Sequence, residues 1–301
     1  MKIFKRNFYW FAILVVVLIG AAYGMWYARE RKSPVKVPYA EVIAGFYPWE
    51  YFAGQIAGNS IKVSSLVPGG VEPHDYEPSV RDMVKLYNAK LIILNGGKFE
   101  PWGDGLGAEL KESGKLLNVA EESGWENENP HFWLDPTKAG EAALKIKDRL
   151  ARVDERHASE YAAGARSLLN RLAALDDEYQ QQLETCAIRA VITPHDAFSY
   201  LASRYNFQTL SLNGVDPKAE PSPHQLNSVI SAARSLSIRM VFFEPLLGDS
   251  IAKSVAREIG GSVAPLNPIE TITEADERAG KDYFIFMREN LVNLRRAMVC
   301  R

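Results

Sequence analysis

Along this chain, short blocks of consecutive or alternating apolar residues are separated by stretches in which apolar positions return every three or four residues. Blocks of the first kind suit strands with buried faces, and stretches of the second kind suit helices laid over them. Strands are predicted at 41–46, 61–66, 91–94, 116–120, 187–193, 208–212, 239–245 and 262–265. Helices are predicted at 48–57, 79–88, 198–205, 225–236, 250–259 and 283–298. This alternation gives an α/β fold with parallel sheets, and ligand-binding side chains gather at the carboxyl ends of such strands.

Helical spacing also runs from 137 to 183, with a break at Val153-Asp154. The second half, 158–183, has no proline and no glycine pair, and Leu168, Leu169, Leu172, Ala173 and Leu175 recur along it. It is read as one long helix packed across two lobes. A chain of 301 residues can support two lobes with separate cores. The predicted organisation is an N-terminal α/β lobe at 36–152, a linking helix at 153–185 and a C-terminal α/β lobe at 186–301.

Before the first lobe, at 1–35, lies a membrane anchor or signal segment. Residues 8–27 are 20 uncharged positions flanked by Lys2, Lys5 and Arg6 and by Arg29, Arg31 and Lys32. A helix of that length spans about 30 Å, the hydrocarbon thickness of a bilayer, and exceeds a signal-peptide core of about 7–15 residues. Trp10 and Trp26 suit the two interfaces. An uncleaved anchor is expected, with a cleavable signal at Ala22-Tyr23-Gly24 as the alternative. No cysteine follows closely enough for a lipid anchor, and the basic flanks leave the orientation open.

The formal net charge of −2 offers no basic excess for nucleic acid. Cys186 and Cys300 lack Cys-x-x-Cys spacing, and a disulfide and two buried thiols are both open.

Candidate chemistry lies in a repeated context. Pro73-His74, Pro130-His131 and Pro194-His195 each set an imidazole behind a proline, on loops expected to follow strands. The separations of 57 and 64 residues match no compact zinc motif, and any one of these histidines alone is an ordinary loop residue. Three together suggest a metal site, since neutral imidazole is a common zinc ligand. His157 and His224, at helix starts, are set aside.

Longer motifs surround these histidines. They are Pro68-Gly69-Gly70 leading to Pro73-His74-Asp75-Tyr76-Glu77-Pro78-Ser79, Asn95-Gly96-Gly97 before Phe99-Glu100-Pro101-Trp102, and Asn129-Pro130-His131-Phe132-Trp133-Leu134-Asp135-Pro136. His195-Asp196-Ala197-Phe198-Ser199-Tyr200, Phe243-Glu244-Pro245 and the closing Tyr283 with Met287 to Leu291 complete the set. From about residue 38 onward the chain resembles the solute-binding proteins of bacterial zinc and manganese ABC importers, the cluster A-I group.

The resemblance implies two α/β lobes joined by a rigid helix, with one metal in the cleft between them. It assigns His74, His131 and His195 as ligands. The aspartate common in relatives at the Asn267 position is absent, so Glu270, the nearest carboxylate, is expected as the fourth ligand, with a water or the Asn267 side-chain oxygen as the alternatives. Glu274 and Asp276 are expected in solvent, and Asp75, Asp196 and Glu244 to orient the imidazoles or balance charge.

Three imidazoles and one carboxylate suit tetrahedral Zn²⁺. Mn²⁺ is the alternative, although manganese-type relatives tend to carry a carboxylate where His195 stands. The implied function is an extracytoplasmic, monomeric protein that delivers Zn²⁺ to the permease and ATPase of an ABC importer and is no enzyme. It would sit in the periplasm or at the cell surface, on the membrane through its N-terminal helix. Rival readings are a metal-dependent hydrolase, with Asp196 or Glu244 as base to a metal-bound water, and a surface adhesin on the same fold. The histidine-rich loop of many relatives is missing, since 121–129 is short and holds no histidine.

Overall fold

In the computed structural model, residues 41–125 and 129–301 are described. The anchor expected at 8–27 lies outside them. Among the described residues, no helix is long and apolar enough to cross a membrane.

The first lobe contains β1 (Val42–Ala44), α1 (Tyr47–Ala57), β2 (Val63–Ser65), α2 (Val80–Asn88), β3 (Leu91–Leu94), α3 (Ala108–Glu112), β4 (Leu116–Asn118) and α4 (Val119–Ser123). Its strands pair in parallel in the order β2-β1-β3-β4, with Val42 opposite both Val63 and Leu91. The unbroken apolar run Leu91–Leu94 is buried throughout, as an inner parallel strand requires. The edge strand β2 is half-buried and shorter than the apolar pattern at 61–66. The strand expected at 116–120 stops at Asn118, whose side chain accepts the Glu121 N–H and starts α4. Ser79 and Asp82 form a capping box that opens α2.

Two helices follow, α5 (Pro136–Val153) and α6 (Ala158–Leu183). Asp154 breaks them apart, its carboxylate facing His157 Nδ1 at 2.6 Å and the Tyr161 hydroxyl at 3.1 Å. The buried stripe of α6 is Tyr161, Ala165, Leu168, Leu172, Leu175, Tyr179 and Leu183. Ala173, read from the pattern as part of that stripe, is exposed. At Gly164 a Cβ would meet the Ile56 carbonyl oxygen at 2.4 Å, so glycine lets α6 lie directly on α1. Further along, Arg171 reaches Tyr51 and Asp282, and the Tyr179 hydroxyl donates to the Met287 carbonyl at 2.6 Å. The helix therefore touches residues from both ends of the chain.

The second lobe contains β5 (Ala190–Thr193), α7 (Ser199–Arg204), β6 (Gln208–Ser211), α8 (Pro223–Ser235), β7 (Met240–Phe243), α9 (Ser250–Ile259), β8 (Ser262–Pro265), α10 (Glu274–Arg278) and α11 (Tyr283–Met298). Its parallel order, β6-β5-β7-β8, repeats that of the first sheet. In each sheet the order reverses between the first and third strands, which opens a crevice at the strand ends. Cys186 and Cys300 form a disulfide beside the backbone hydrogen bond from Ile188 N–H to the Met298 carbonyl. One core runs through both lobes, with Phe46, Trp49, Phe52, Phe99, Trp133 and Tyr283 among its buried rings.

Candidate metal centre

Four segments carry polar side chains from the strand ends into that crevice. Beyond β2, His74 sits in a single 3-10 turn, Pro73–Asp75, where Glu72 accepts its backbone N–H at 3.3 Å. His131 precedes another such turn, Phe132–Leu134, leading into α5. His195 lies two residues past β5. The loop after β8 brings in Glu270, and here Asn267 has a different task from ligation. Its Oδ1 accepts the Ile269 N–H at 2.8 Å, and its own N–H donates to Asn290 Oδ1 at 2.8 Å. The loop thus closed holds buried Ile269 at φ 61°, a conformation rare for a β-branched residue, and presents Glu270 next to it.

His74, His131, His195 and Glu270 form a group in which the candidate ligand atoms all lie within 4.8 Å of one another. His131 Nε2 is 3.3 Å from His74 Nε2, 3.1 Å from His195 Nε2 and 3.1 Å from Glu270 Oε1. Glu270 Oε1 is 3.6 Å from Nε2 of both His74 and His195. A tetrahedron with arms of about 2.0–2.1 Å, the usual zinc–nitrogen length, has edges of roughly 3.3–3.4 Å. The donor set therefore has the size of a zinc polyhedron.

Proton placement supports the same reading. Glu244, directly after β7, takes a hydrogen bond from His195 Nδ1 at 2.5 Å. Asn129 Oδ1 faces His131 Nδ1 at 2.7 Å. With Nδ1 a donor in both rings, each neutral ring turns its Nε2 lone pair toward the centre. Glu270 Oε1 faces the same point and has no hydrogen-bond partner. Ligand atoms converging at a buried point suit a cation.

The electrostatics agree. His131, His195 and Glu270 are 0%, 0% and 3% exposed. Burial pushes His131 down to about 4, despite the Glu270 carboxylate beside it. Burial also opposes a charged His195, but the Glu244 and Glu270 carboxylates outweigh it and raise that ring to about 10. Glu270 is disfavoured as a charge by burial, yet the three facing imidazoles hold its carboxyl well below the usual range. Glu244 and Glu270 are both buried carboxylates at the group, a setting that favours a cation between them, although burial raises Glu244. Phe99 packs edge-on against His74, with ring centroids 4.4 Å apart, and Trp133 lies 5.1 Å from His131. Beside the group, a cavity of about 170 Å³ is lined by Glu72, Glu244, Glu270 and half-buried Asp276, among others.

Of the three carboxylates expected to orient a ring or balance charge, Glu244 holds a ring directly, Asp196 interacts with the His195 charge through space, and Asp75 departs from the expectation. Asp75 is half-exposed and pairs with Lys218 at the surface, so it orients no imidazole. Asp196 meets the Asn129 amide and no ring directly. Asn129 and Glu72 were not singled out from sequence. The signal for Asn129 was its place two residues before His131, where a short amide can fold back on the ring. His157 instead pairs with Asp154, away from the centre.

Two parallel-sheet lobes thus gather three imidazoles and a carboxylate at their strand ends, a group that could hold a metal ion. The chain belongs to the ZnuA family, described as zinc-uptake complex component A, periplasmic, whose model matches residues 42–297. It is 30% identical to the zinc-binding protein AdcA of Streptococcus pyogenes over 94% of this chain and 61% of that protein. It thus spans less than two thirds of that relative. It is 27% identical to the high-affinity zinc uptake system protein ZnuA of Bacillus subtilis, over 99% of both chains. A solved structure, the Zn(II)-bound ZnuA-like domain of Streptococcus pneumoniae AdcA, matches with a TM-score of 0.74 at 27% identity, covering 86% of this chain and 98% of that one.

Proposed function

We propose that this protein captures Zn²⁺ outside the cytoplasm and delivers it to the permease of an ABC importer driven by a cytoplasmic ATPase. His74, His131, His195 and Glu270 are the four ligands, and Glu244 supports His195. The observation carrying this reading is the set of 3.1–3.6 Å separations that link the four candidate ligand atoms through His131 and Glu270. Zinc is favoured over manganese because three nitrogens and one oxygen at tetrahedral spacing suit the former, and manganese prefers more oxygen. The same four donors fill a tetrahedron and leave no open position for a hydrolytic water.

Residues 8–27 serve as the membrane anchor in this reading, and the protein acts as a monomer. Residues 153–185 form a stiff spine between lobes at 36–152 and 186–301. Release follows when the lobes separate and Glu270 leaves the ion. The test is metal analysis of protein purified without chelator. One zinc per chain is expected, lost in His131→Ala; full zinc stoichiometry and affinity in that variant would refute the assignment.

A further inference from the structure

Asn129 offers no atom to the metal group, yet its side chain reaches both lobes. Its Oδ1 accepts the His131 backbone N–H at 3.0 Å and faces the ring Nδ1 at 2.7 Å. Its Nδ2 donates to the Asp196 carbonyl oxygen and lies 3.4 Å from the Asp196 carboxylate. The two ends of one amide meet opposite demands, donors on the oxygen side and acceptors on the nitrogen side. A half-turn of the amide would satisfy neither. Asp196 directly follows His195, and its own N–H is fixed to the Gly214 carbonyl at 2.9 Å. One side chain therefore joins a ring in the first lobe to the loop that carries a ring in the second.

We propose that Asn129 is a positioning residue that couples lobe closure to metal retention. Its oxygen keeps His131 in the tautomer with the lone pair on Nε2, and its nitrogen ties that tautomer to the closed position of the His195 loop. When the lobes part, the amide loses its acceptors and is free to turn, and His131 loses the partner that fixes its tautomer. The proposal rests on the zinc-binding reading above.

Two substitutions separate the ends of the amide. Asn129→Asp keeps an acceptor for His131 but sets a carboxylate against the Asp196 carbonyl and carboxylate. Asn129→Leu removes both contacts. Zinc release is followed by rapid mixing of the zinc-loaded full chain with excess chelator, alongside nitrogen NMR of the His131 tautomer. Asn129→Asp is expected to bind one zinc with the His131 tautomer unchanged and to release it roughly 10–100-fold faster, the range found when partners of metal ligands are removed. Asn129→Leu is expected to lose the fixed tautomer as well.

Tyr179→Phe, which removes a buried hydrogen bond far from the metal, serves as the control for simple loosening. An unchanged release rate in Asn129→Asp overturns the coupling. An equal acceleration in Tyr179→Phe also overturns it, by tracing the effect to stability. His131→Ala keeps the two readings apart. Loss of zinc there with a silent Asn129→Asp sinks the coupling alone, whereas retention of zinc there sinks the metal site itself.

Discussion

Zinc should enter this site by displacing a proton, and the position of His195 sets how strongly. The ring is fully buried, which disfavours its charge, but the carboxylates of Glu244, at 2.5 Å from Nδ1, and Glu270, at 3.6 Å from Nε2, raise it to about 10. His131 and His74 also face it and oppose the charge, while the Asp196 carboxylate favours it through space. In metal-free protein at pH 7, His195 then carries a proton on Nε2, directed at the His131 lone pair 3.1 Å away. A proton held at about 10 competes with zinc by roughly three decades of apparent affinity at pH 7.

The sign follows for both binding and stability. Apparent zinc affinity rises by about one decade per pH unit from neutral pH toward 10. The stability that protonated His195 lends the metal-free fold is full below the ordinary value of 6.5 and is lost as pH rises through about 10. Calorimetric titration in buffers of different ionisation enthalpy at pH 8 should count about one proton released per zinc. Glu244→Gln should lower that number toward zero. A wild-type count near zero at pH 8, or a flat affinity between pH 7 and 9, would refute the argument.

Other outcomes follow from the same contacts. Glu270→Gln removes the only carboxylate whose oxygen faces all three rings among the described residues. Zinc affinity, measured by competition with a coloured chelator, should fall on the order of 100-fold or more. Replacing Cys186 and Cys300 by serine frees a link across 114 residues of chain and should lower unfolding free energy by as much as about 4–5 kcal/mol. A denaturant titration reads that loss, and zinc affinity should stay unchanged because the bridge sits ahead of β5, at the end of the strand opposite to the one that leads to His195.

The legible parts of the fold were those in which one local rule decides. Leu91–Leu94 is apolar at every position and lies inside a sheet, and the proline-free run at 158–183 forms a single helix with the same bounds. The pattern overran at 116–120 because Asn118, a polar residue inside an apolar block, begins a helix instead of continuing the strand. At the site, repetition of Pro-His pointed to three rings. Glu270 could be reached only as the carboxylate nearest Asn267, because the hydrogen bonds that close the loop involve Asn290 on another element. The partners of Asp75 and Asn129 were beyond reach for the same reason. Lys218 and Asp196 approach them only after both lobes have folded, and spacing carries no record of that approach.

Trp133 bridges the two halves of the molecule. Its indole Nε1–H donates to the Pro268 carbonyl at 2.8 Å, its own carbonyl takes the Tyr283 hydroxyl at 2.6 Å, and its ring is shut off from water. Parting the lobes would break the first of these bonds and wet an aromatic surface that is dry in the closed form. In the proposed release step Trp133 is an intrinsic fluorophore at the seam between the lobes, and zinc removal is then expected to shift its emission to the red without any attached dye.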